Sequence, residues 1–160
     1  MDANTVRWLC CYLRGHTATC IYNGVESDSV VIRQGVPQGS VLSPTLFNAY
    51  VVGYPHTADL CTSYADDFTA SASHPDVREA TATMAKHAED VEAWANEREL
   101  QISAQKSTVT LFTPETRQGR VYPLIPVGGD VLPLERYPKI LGVTFDPHFH
   151  FHKHVEPGRK

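Results

Sequence analysis

Two adjacent carboxylates stand out in the stretch SYADDFTASA, residues 63–72. Asp66 and Asp67 lie between two short runs of small and aromatic residues, so a tight hairpin would place both at its tip. Like charges this close repel each other unless a cation lies between them. Magnesium prefers carboxylate oxygens, water and phosphate, so the pair is a candidate metal site for phosphoryl transfer. The alternative is an Asp-Asp turn that serves solubility and local hydrogen bonding.

A second candidate site lies upstream, in the loop RQGVPQGSVLSPTLFN, residues 33–48. Its glycines and proline would let backbone amides approach a ligand closely. Gln38 adds a side-chain amide that can both donate and accept hydrogen bonds along a nucleotide edge. The same composition is also typical of a tight turn without any binding function.

Four alternating histidines in HFHFHKH, residues 148–154, form a third candidate site. On a β-strand, His148, His150, His152 and His154 would share one face and could chelate zinc or nickel. Structural zinc sites usually combine ligands from two elements of the fold. The sequence therefore leaves open whether this cluster binds metal.

The N-terminal third of the chain predicts a helix, a hairpin and a second helix. Apolar residues at helical spacing indicate a helix from Thr5 to Leu13, ended by Gly15. Asn23-Gly24, between two runs rich in β-formers, predicts a hairpin. The second helix is predicted to have Pro44 at its first position and Ser43 as its N-cap.

The rest of the chain combines a long helix with further strands. Short runs on both sides of the acidic pair predict two strands. Apolar or small residues at every third or fourth position predict a helix from Pro75 to about Leu100, with Trp94 in the core. Further strands are predicted within residues 101–112 and, as a hairpin, within residues 137–146. This order lacks the rhythm of a doubly wound sheet and predicts an α+β fold, with helices on one face of a largely antiparallel sheet.

The composition limits the size and the class of the protein. A chain of 160 residues is expected to form one compact domain rather than two. The formal net charge of -4 argues against a free-standing nucleic-acid binder, because neutralising phosphates needs clustered Lys and Arg. Cysteines without a Cys-x-x-Cys pair, and no signal peptide, predict a cytoplasmic or nuclear protein that is not secreted. No apolar run approaches the roughly 18 residues of a membrane span.

Several segments resemble, in their order and spacing, the palm of reverse transcriptases, specifically those of LINE-type (non-LTR) retrotransposons. GVPQGSVLSPTLFN resembles the family's motif B, and YADD, residues 64–67, resembles its motif C. Residues 7–34 resemble the segment that leads into motif B, residues 96–112 resemble motif D, and YPKILGVTFD resembles the primer-grip motif E. The resemblance runs from about Arg7 to His154 and implies a polymerase palm-like antiparallel sheet.

The resemblance implies that the acidic hairpin holds the catalytic metal ions. Asp66 would be a principal ligand and Asp67 its neighbour, around two Mg²⁺ ions for which Mn²⁺ is a possible substitute. Tyr64 and Ala65 would line the primer end. Two ions about 4 Å apart would stabilise the attacking and the leaving oxygens of a nucleotidyl transfer.

The resemblance also implies roles for three other segments. Lys106 would lie near the leaving pyrophosphate as a proton donor or charge stabiliser, although a solvated lysine at a strand end is an equal alternative. Leu141 and Gly142 would form the turn that grips the primer. The residues that would position the incoming nucleotide and its template base are Pro37, Gln38 and Gly39.

One essential part of the family's pattern is not found in these residues. The family uses a further aspartate, in motif A, before the helix that begins near Thr5, and neither Asp2 nor Asp28 suits that position. We therefore expect residues 1–154 to be a partial palm with motifs B to E, and residues 155–160 to be a tail at the start of a missing thumb. The fingers would be missing as well. The isolated chain is then expected not to polymerise, because in-line displacement needs both ions closely placed.

Three functions remain open at this point. The first is an RNA-directed DNA polymerase, a nucleotidyltransferase whose full-length parent would act on an RNA template, a DNA primer and dNTPs. The second is a non-catalytic retrotransposon remnant that acts at most as a nucleic-acid or protein-binding module. The third is an unrelated metal-dependent phosphotransferase, which would need another carboxylate or histidine near Asp66. The source element, the template RNA and the oligomeric state stay open.

Overall fold

A computed structural model describes residues 2–113 and 122–155 of the chain. The chain divides into two compact units, Met1–Val52 and Gly53–Lys160, where the sequence predicted one. The second unit begins at Gly53, whose φ of +83° is a conformation that other residues rarely adopt. Residues 156–160 of the predicted tail lie outside the described residues.

The first unit opens with helix α1, Ala3–Tyr12, which confirms the first predicted helix. It begins two residues earlier than predicted because Asp2 is its cap. The Asp2 carboxylate accepts the backbone N–H groups of Asn4 and Thr5, both at 2.9 Å, and so satisfies donors that have no partner within the helix.

A nested pair of short antiparallel ladders follows α1. The turn between the inner strands is Asn23-Gly24, with φ of +49° and +77°, as a tight hairpin turn requires. The predicted hairpin is therefore confirmed. The outer strands are β1 (Thr17–Ala18) and β4 (Val30–Val31), and the inner strands are β2 (Ile21–Tyr22) and β3 (Val25–Glu26).

Helix α2, Ser43–Tyr50, ends the regular structure of the first unit and confirms the second predicted helix. Its predicted cap is wrong. Leu42 takes the N-cap position without a side-chain hydrogen bond, and Ser43 is the first helical residue. The Ser43 hydroxyl instead donates to the carbonyl of Pro37 at 2.5 Å, so it is engaged by the loop before the helix.

In its described residues, the second unit contains a long helix, three hairpins and a short helix near the end of the chain. Helix α3, Val77–Glu97, confirms the predicted long helix and begins after Asp76, whose side chain accepts the N–H of Arg78 at 2.9 Å. The predicted hairpins around the acidic pair and within residues 137–146 are also confirmed. The strands are β5 (Leu60–Tyr64) with β6 (Asp67–Ser71), β7 (Pro126–Val127) with β8 (Asp130–Val131), and β9 (Lys139–Ile140) with β10 (Val143–Thr144).

The prediction of a strand within residues 101–112 is wrong. Residues 104–106 form a turn, and the only β contact in this segment is an isolated parallel bridge between Val109 and Leu134. The carbonyl of Ser103 accepts both the backbone N–H of Ser107 at 3.1 Å and its hydroxyl at 2.9 Å. This local bonding closes a turn in place of a strand ladder.

The coarse fold class is confirmed as a mixture of helices and antiparallel strands. The sequence predicted one larger sheet with helices on one face, and the described residues do not form such a sheet. Their strands pair in five separate two-stranded antiparallel sheets. None of the helices in the described ranges has the length and apolar character needed to cross a lipid bilayer.

The apolar core lies on the buried face of α3 in the second unit. Ala88 packs with Ile125 and Val127 of the β7–β8 segment. Trp94 and Ala95, about two helical turns after Ala88, are buried too. The side chains packed against the first cluster are Met84, Ala85, Ile102, Ala104, Val109 and Leu132. Helix α3 thus supplies the face against which this core packs.

Candidate functional site

The acidic pair lies at the end of the β5–β6 hairpin. Tyr64 and Asp67 form its last cross-strand pair, and Ala65 and Asp66 form the two-residue turn. Only Asp66 is therefore in the turn, whereas the sequence predicted both carboxylates at the tip. Asp67 is the first residue of β6. All four side chains are exposed, which leaves both carboxylates accessible to a ligand.

The turn itself is held in a conformation that its sequence does not favour. Ala65 has a φ of +52°, in the left-handed region that favours glycine. A non-glycine residue there costs on the order of 1 kcal/mol, so the flanking ladder must hold the turn in place.

Substitutions at Ala65 test this strain. We expect Ala65→Val to lower the free energy of unfolding by about 1 to 2 kcal/mol, because a branched Cβ fits positive φ poorly, and Ala65→Gly to change it by about 0.5 kcal/mol or less. Urea denaturation followed by circular dichroism measures both. Ser63→Val, in the exposed part of β5, is the matched control and should change stability little. Equal costs for the two valine variants would contradict the strain.

An aromatic cluster connects the acidic hairpin to α3. Phe68, next to Asp67, stacks on Tyr54 with ring centroids 4.6 Å apart. Trp94 of α3 meets the Tyr54 ring edge-on at 5.3 Å and the Phe68 ring at 6.1 Å. Burial is the main reason that the pKa of Tyr54 is raised to about 12. The phenol is therefore protonated and can act as a hydrogen-bond donor at all physiological pH values.

The glycine-bent loop of the first unit forms a compact turn before α2. The N–H of Ser40 donates to the carbonyl of Pro37 at 3.3 Å, and Gly39, with a φ of +82°, takes the third position of the turn. The hydroxyl groups of Ser40 and Tyr12 are hydrogen-bonded, which ties the turn to α1. Gln38 and Gly39 are exposed. A second chain or a ligand could therefore approach their backbone and the Gln38 amide.

Residues 2–145 match the family model described as reverse transcriptase (RNA-dependent DNA polymerase). The chain belongs to the reverse transcriptase family. The resemblance to reverse transcriptases of LINE-type (non-LTR) retrotransposons, drawn from the motifs, is confirmed by this match and by the relatives below. The chain is thus a reverse transcriptase domain, of a family of nucleotidyltransferases.

The curated relatives are polymerases of insect mobile elements. The RNA-directed DNA polymerase from mobile element jockey of Drosophila funebris is 28% identical over 153 residues, which is 90% of this chain and 16% of that protein. The probable RNA-directed DNA polymerase from transposon BS of Drosophila melanogaster is 32% identical over 135 residues, 79% of this chain and 15% of the relative. The chain therefore spans only a small part of the length of these relatives. No solved structure matches the chain significantly.

The remaining motif residues of this reverse transcriptase domain lie in two exposed turns. Lys106 is in the turn of residues 104–106, not at the end of a strand as the sequence suggested. Among the described residues, no hydrogen bond or ion pair connects it to Asp66 or Asp67. Leu141 and Gly142 form the turn of the β9–β10 hairpin, with φ of +48° and +87°.

The histidine segment does not form the predicted strand. Asp146 accepts the backbone N–H groups of His148 at 3.1 Å and His150 at 3.0 Å, which bends the chain. The last two histidines then belong to the short helix α4, His152–Val155. Burial alone would raise the pKa of the Asp146 carboxyl, but these backbone donors hold the pKa below its usual range. The four histidines therefore do not share one strand face.

The carboxylates of the acidic hairpin fit a magnesium ion in their chemistry, because exposed carboxylate oxygens are ligands that this ion prefers. They do not complete a site by themselves. In residues 2–113 and 122–155, no set of three His, Cys, Asp or Glu side chains comes together to hold a metal ion. Asp66 and Asp67 can therefore supply only part of a ligand set, to which water, phosphate or another chain would add the remaining oxygens.

Sequence reasoning missed His87, which lies under the acidic hairpin on the buried face of α3. Its side chain is only 3% exposed. Its ring nitrogens contact Thr57 at 2.9 Å and Tyr54 at 3.2 Å, residues 30 and 33 positions away in the chain. A histidine among the apolar positions of α3 was the one available signal, and it gave no indication of these partners.

Proposed function

We propose that residues 1–154 are part of a reverse transcriptase palm, and that the β5–β6 hairpin supplies two metal-ligating carboxylates for RNA-directed DNA synthesis. The observation that carries this proposal is the hairpin register. It places Asp66 in a two-residue turn and Asp67 beside it, both exposed, at the end of two five-residue strands. The family match supports the reaction class.

The substrates of the complete polymerase would be an RNA template, a DNA primer and dNTPs, as the family match and the names of the relatives suggest. The turn of Pro37, Gln38 and Gly39 would contact the incoming nucleotide and the template base, through backbone groups and the exposed Gln38 amide. Tyr64 and Ala65 would lie along the primer end, and Leu141 with Gly142 would grip the primer from the β9–β10 turn.

The carboxylates of Asp66 and Asp67 would hold Mg²⁺ through their exposed oxygens. When bound, the metal would neutralise charge on the triphosphate and lower the pKa of the primer 3′-hydroxyl. Lys106, on its exposed turn, would place a positive charge near the leaving pyrophosphate. The chain's own contribution is therefore to fix two carboxylates and a lysine charge relative to the nucleotide.

Metal binding by the isolated chain tests the proposal. We expect Mn²⁺, added at low millimolar concentration, to broaden the backbone NMR signals of residues 65–68 before those of other segments, because paramagnetic broadening falls steeply with distance. Binding should be weak, since two carboxylates leave most of the coordination shell to water. Asp66→Asn and Asp67→Asn should each reduce the broadening.

Asp130 provides the matched control. It follows the tight turn of the β7–β8 hairpin, as Asp67 follows the turn of β5–β6, and it is exposed. Asp130→Asn should leave the broadening of residues 65–68 unchanged. Broadening spread evenly over the exposed acidic residues, or unchanged in Asp66→Asn, would contradict a metal site at this hairpin.

A further inference from the structure

We propose that neutral His87 is a positioning residue that fixes the acidic hairpin on α3 through Tyr54, and that protonation of His87 loosens the hairpin. The inference deepens the proposed function and rests on it in one respect, namely that the β5–β6 hairpin is the metal-binding element. The loosening itself concerns the folded chain and does not require metal.

The His87 ring contacts three other side chains. Nε2 lies 3.2 Å from the Tyr54 hydroxyl and 3.9 Å from the thiol of Cys61 in β5. Nδ1 lies 2.9 Å from the hydroxyl of Thr57. With a side chain that is almost fully buried, His87 therefore connects α3 to the segment before β5 and to β5 itself.

The directions of these hydrogen bonds follow from the Asp90 carboxylate, which can only accept. The Thr57 hydroxyl donates to it, and this bond is one of the contacts that lower the pKa of Asp90, after the larger effect of Lys86. Because its proton is used there, the Thr57 hydroxyl accepts from Nδ1 of the neutral His87 ring. Nε2 then carries no proton and accepts from the Tyr54 hydroxyl. Each hydrogen bond of this network therefore has one donor and one acceptor.

Tyr54 connects this hydrogen-bond network to the hairpin. Tyr54 stacks its ring on Phe68, and Phe68 directly follows Asp67 in β6. A second proton on His87 would turn Nε2 from an acceptor into a donor, so the Tyr54 hydroxyl would have to accept from it and turn its own proton away. In the described residues no second acceptor lies within hydrogen-bond distance of this hydroxyl, so its proton would be left unpaired. Moving the Tyr54 ring off Phe68, in the strand that begins with Asp67, would let that proton reach water.

The surroundings of His87 favour its neutral form. Burial lowers its pKa below the ordinary value of 6.5, the charge of Asp90 opposes this, and His56 adds to it. The neutral ring therefore contributes stability that is fully present above pH 6.5 and is lost as the pH falls from there towards the lower pKa of the folded chain. The titratable groups that face His87 are Tyr54 and His56 before β5, Cys61 in β5, and Asp90 in α3.

Hydrogen exchange of the full 160-residue chain tests the inference without metal. Amide exchange of β5 and β6 is measured by NMR at pH 7.5 and at pH 5.5 and is corrected for the intrinsic exchange rate. We expect the protection of the paired amides to fall about tenfold at the lower pH, the equivalent of one buried hydrogen bond. In His87→Gln, whose amide stays neutral, protection should not depend on pH.

The control is His148→Gln, which removes an exposed histidine of the same unit and should keep the pH-dependent loss of the wild type. Equal protection at the two pH values in the wild type, or an unchanged pH-dependent loss in His87→Gln, would overturn the inference. Should His87→Gln fail to fold, Tyr54→Phe decides the matter, because it removes only the hydroxyl. It is expected to lower protection about tenfold at pH 7.5 and to change little at pH 5.5.

If Tyr54→Phe kept the protection and the pH dependence of the wild type, the inference about His87 would equally be overturned. The failure of this inference and that of the proposed function are distinguishable. A hairpin that loosens with acid but does not broaden with Mn²⁺ retains the role of His87 and loses the metal site. A hairpin that binds Mn²⁺ without any pH-dependent loosening retains the metal site and loses the role of His87.

Discussion

Asp66→Asn is expected to lower primer extension roughly a thousandfold or more in a polymerase that contains this chain. The amide keeps the volume of the carboxylate but removes the negative charge that would hold Mg²⁺. Because Asp66 is in an exposed turn and its side chain has no buried contact, the free energy of unfolding should change by about 0.5 kcal/mol or less. The assay is extension of a DNA primer on an RNA template with Mg²⁺ and dNTPs.

Two comparisons make this result specific. Asp130→Asn, at the corresponding place of the β7–β8 hairpin, should keep the activity of the unmodified polymerase. The isolated 160 residues should give no product with either side chain at position 66, because two carboxylates leave the ligand set incomplete. Full activity of the Asp66→Asn polymerase would remove Asp66 from the site, and robust extension by the isolated chain would refute the need for a further carboxylate.

The elements that could be predicted from the sequence are those fixed by local interactions. The Asn23-Gly24 turn forms because both residues tolerate positive φ, and no distant contact is needed to select it. Helix α3 is long and amphipathic, so its period alone locates it within two or three residues. The acidic hairpin was found for the same reason, since two short β-rich runs flank a turn of only two residues.

The errors come from side chains that compete for backbone groups. A histidine at every second position is typical of a strand, but the Asp146 carboxylate accepts two backbone N–H groups of that segment and bends it. Ser43 has the residue type of a helix cap, but its hydroxyl donates to the carbonyl of Pro37 instead.

The β7–β8 hairpin was missed although the sequence carried a usable signal for it. Gly128-Gly129 forms its turn, and Gly-Gly between strands indicates a tight turn.

The surroundings of the candidate site depend on contacts between distant residues, which one sequence does not reveal. Spacing gives the order of Asp66 and Asp67, but not which of them begins a strand. The pairing of Tyr64 with Asp67 follows from the whole ladder register, five residue pairs long. The contact between His87 and Tyr54 joins residues 33 positions apart and needs the packing of α3 to be known.

Trp94→Ala is expected to lower the free energy of unfolding by about 3 to 5 kcal/mol, a large part of the stability of a small domain. Trp94 is 8% exposed and lies edge-on to Tyr54 and Phe68, so its loss leaves a cavity between α3 and the acidic hairpin. The Arg98 guanidinium, 5.1 Å from its ring centroid, loses a cation–π contact as well. The measurement is urea denaturation followed by circular dichroism, which does not depend on indole fluorescence.

Two tryptophan variants separate burial from other effects of the substitution. Trp8→Ala removes the same side chain from α1, where it is 53% exposed, and should cost about 1 kcal/mol or less. Trp94→Phe should cost less than Trp94→Ala, because it keeps an aromatic ring and removes an indole N–H that is buried without a partner in the described residues. Should Trp94→Ala cost no more than Trp8→Ala, the aromatic cluster would not be what fixes the acidic hairpin on α3.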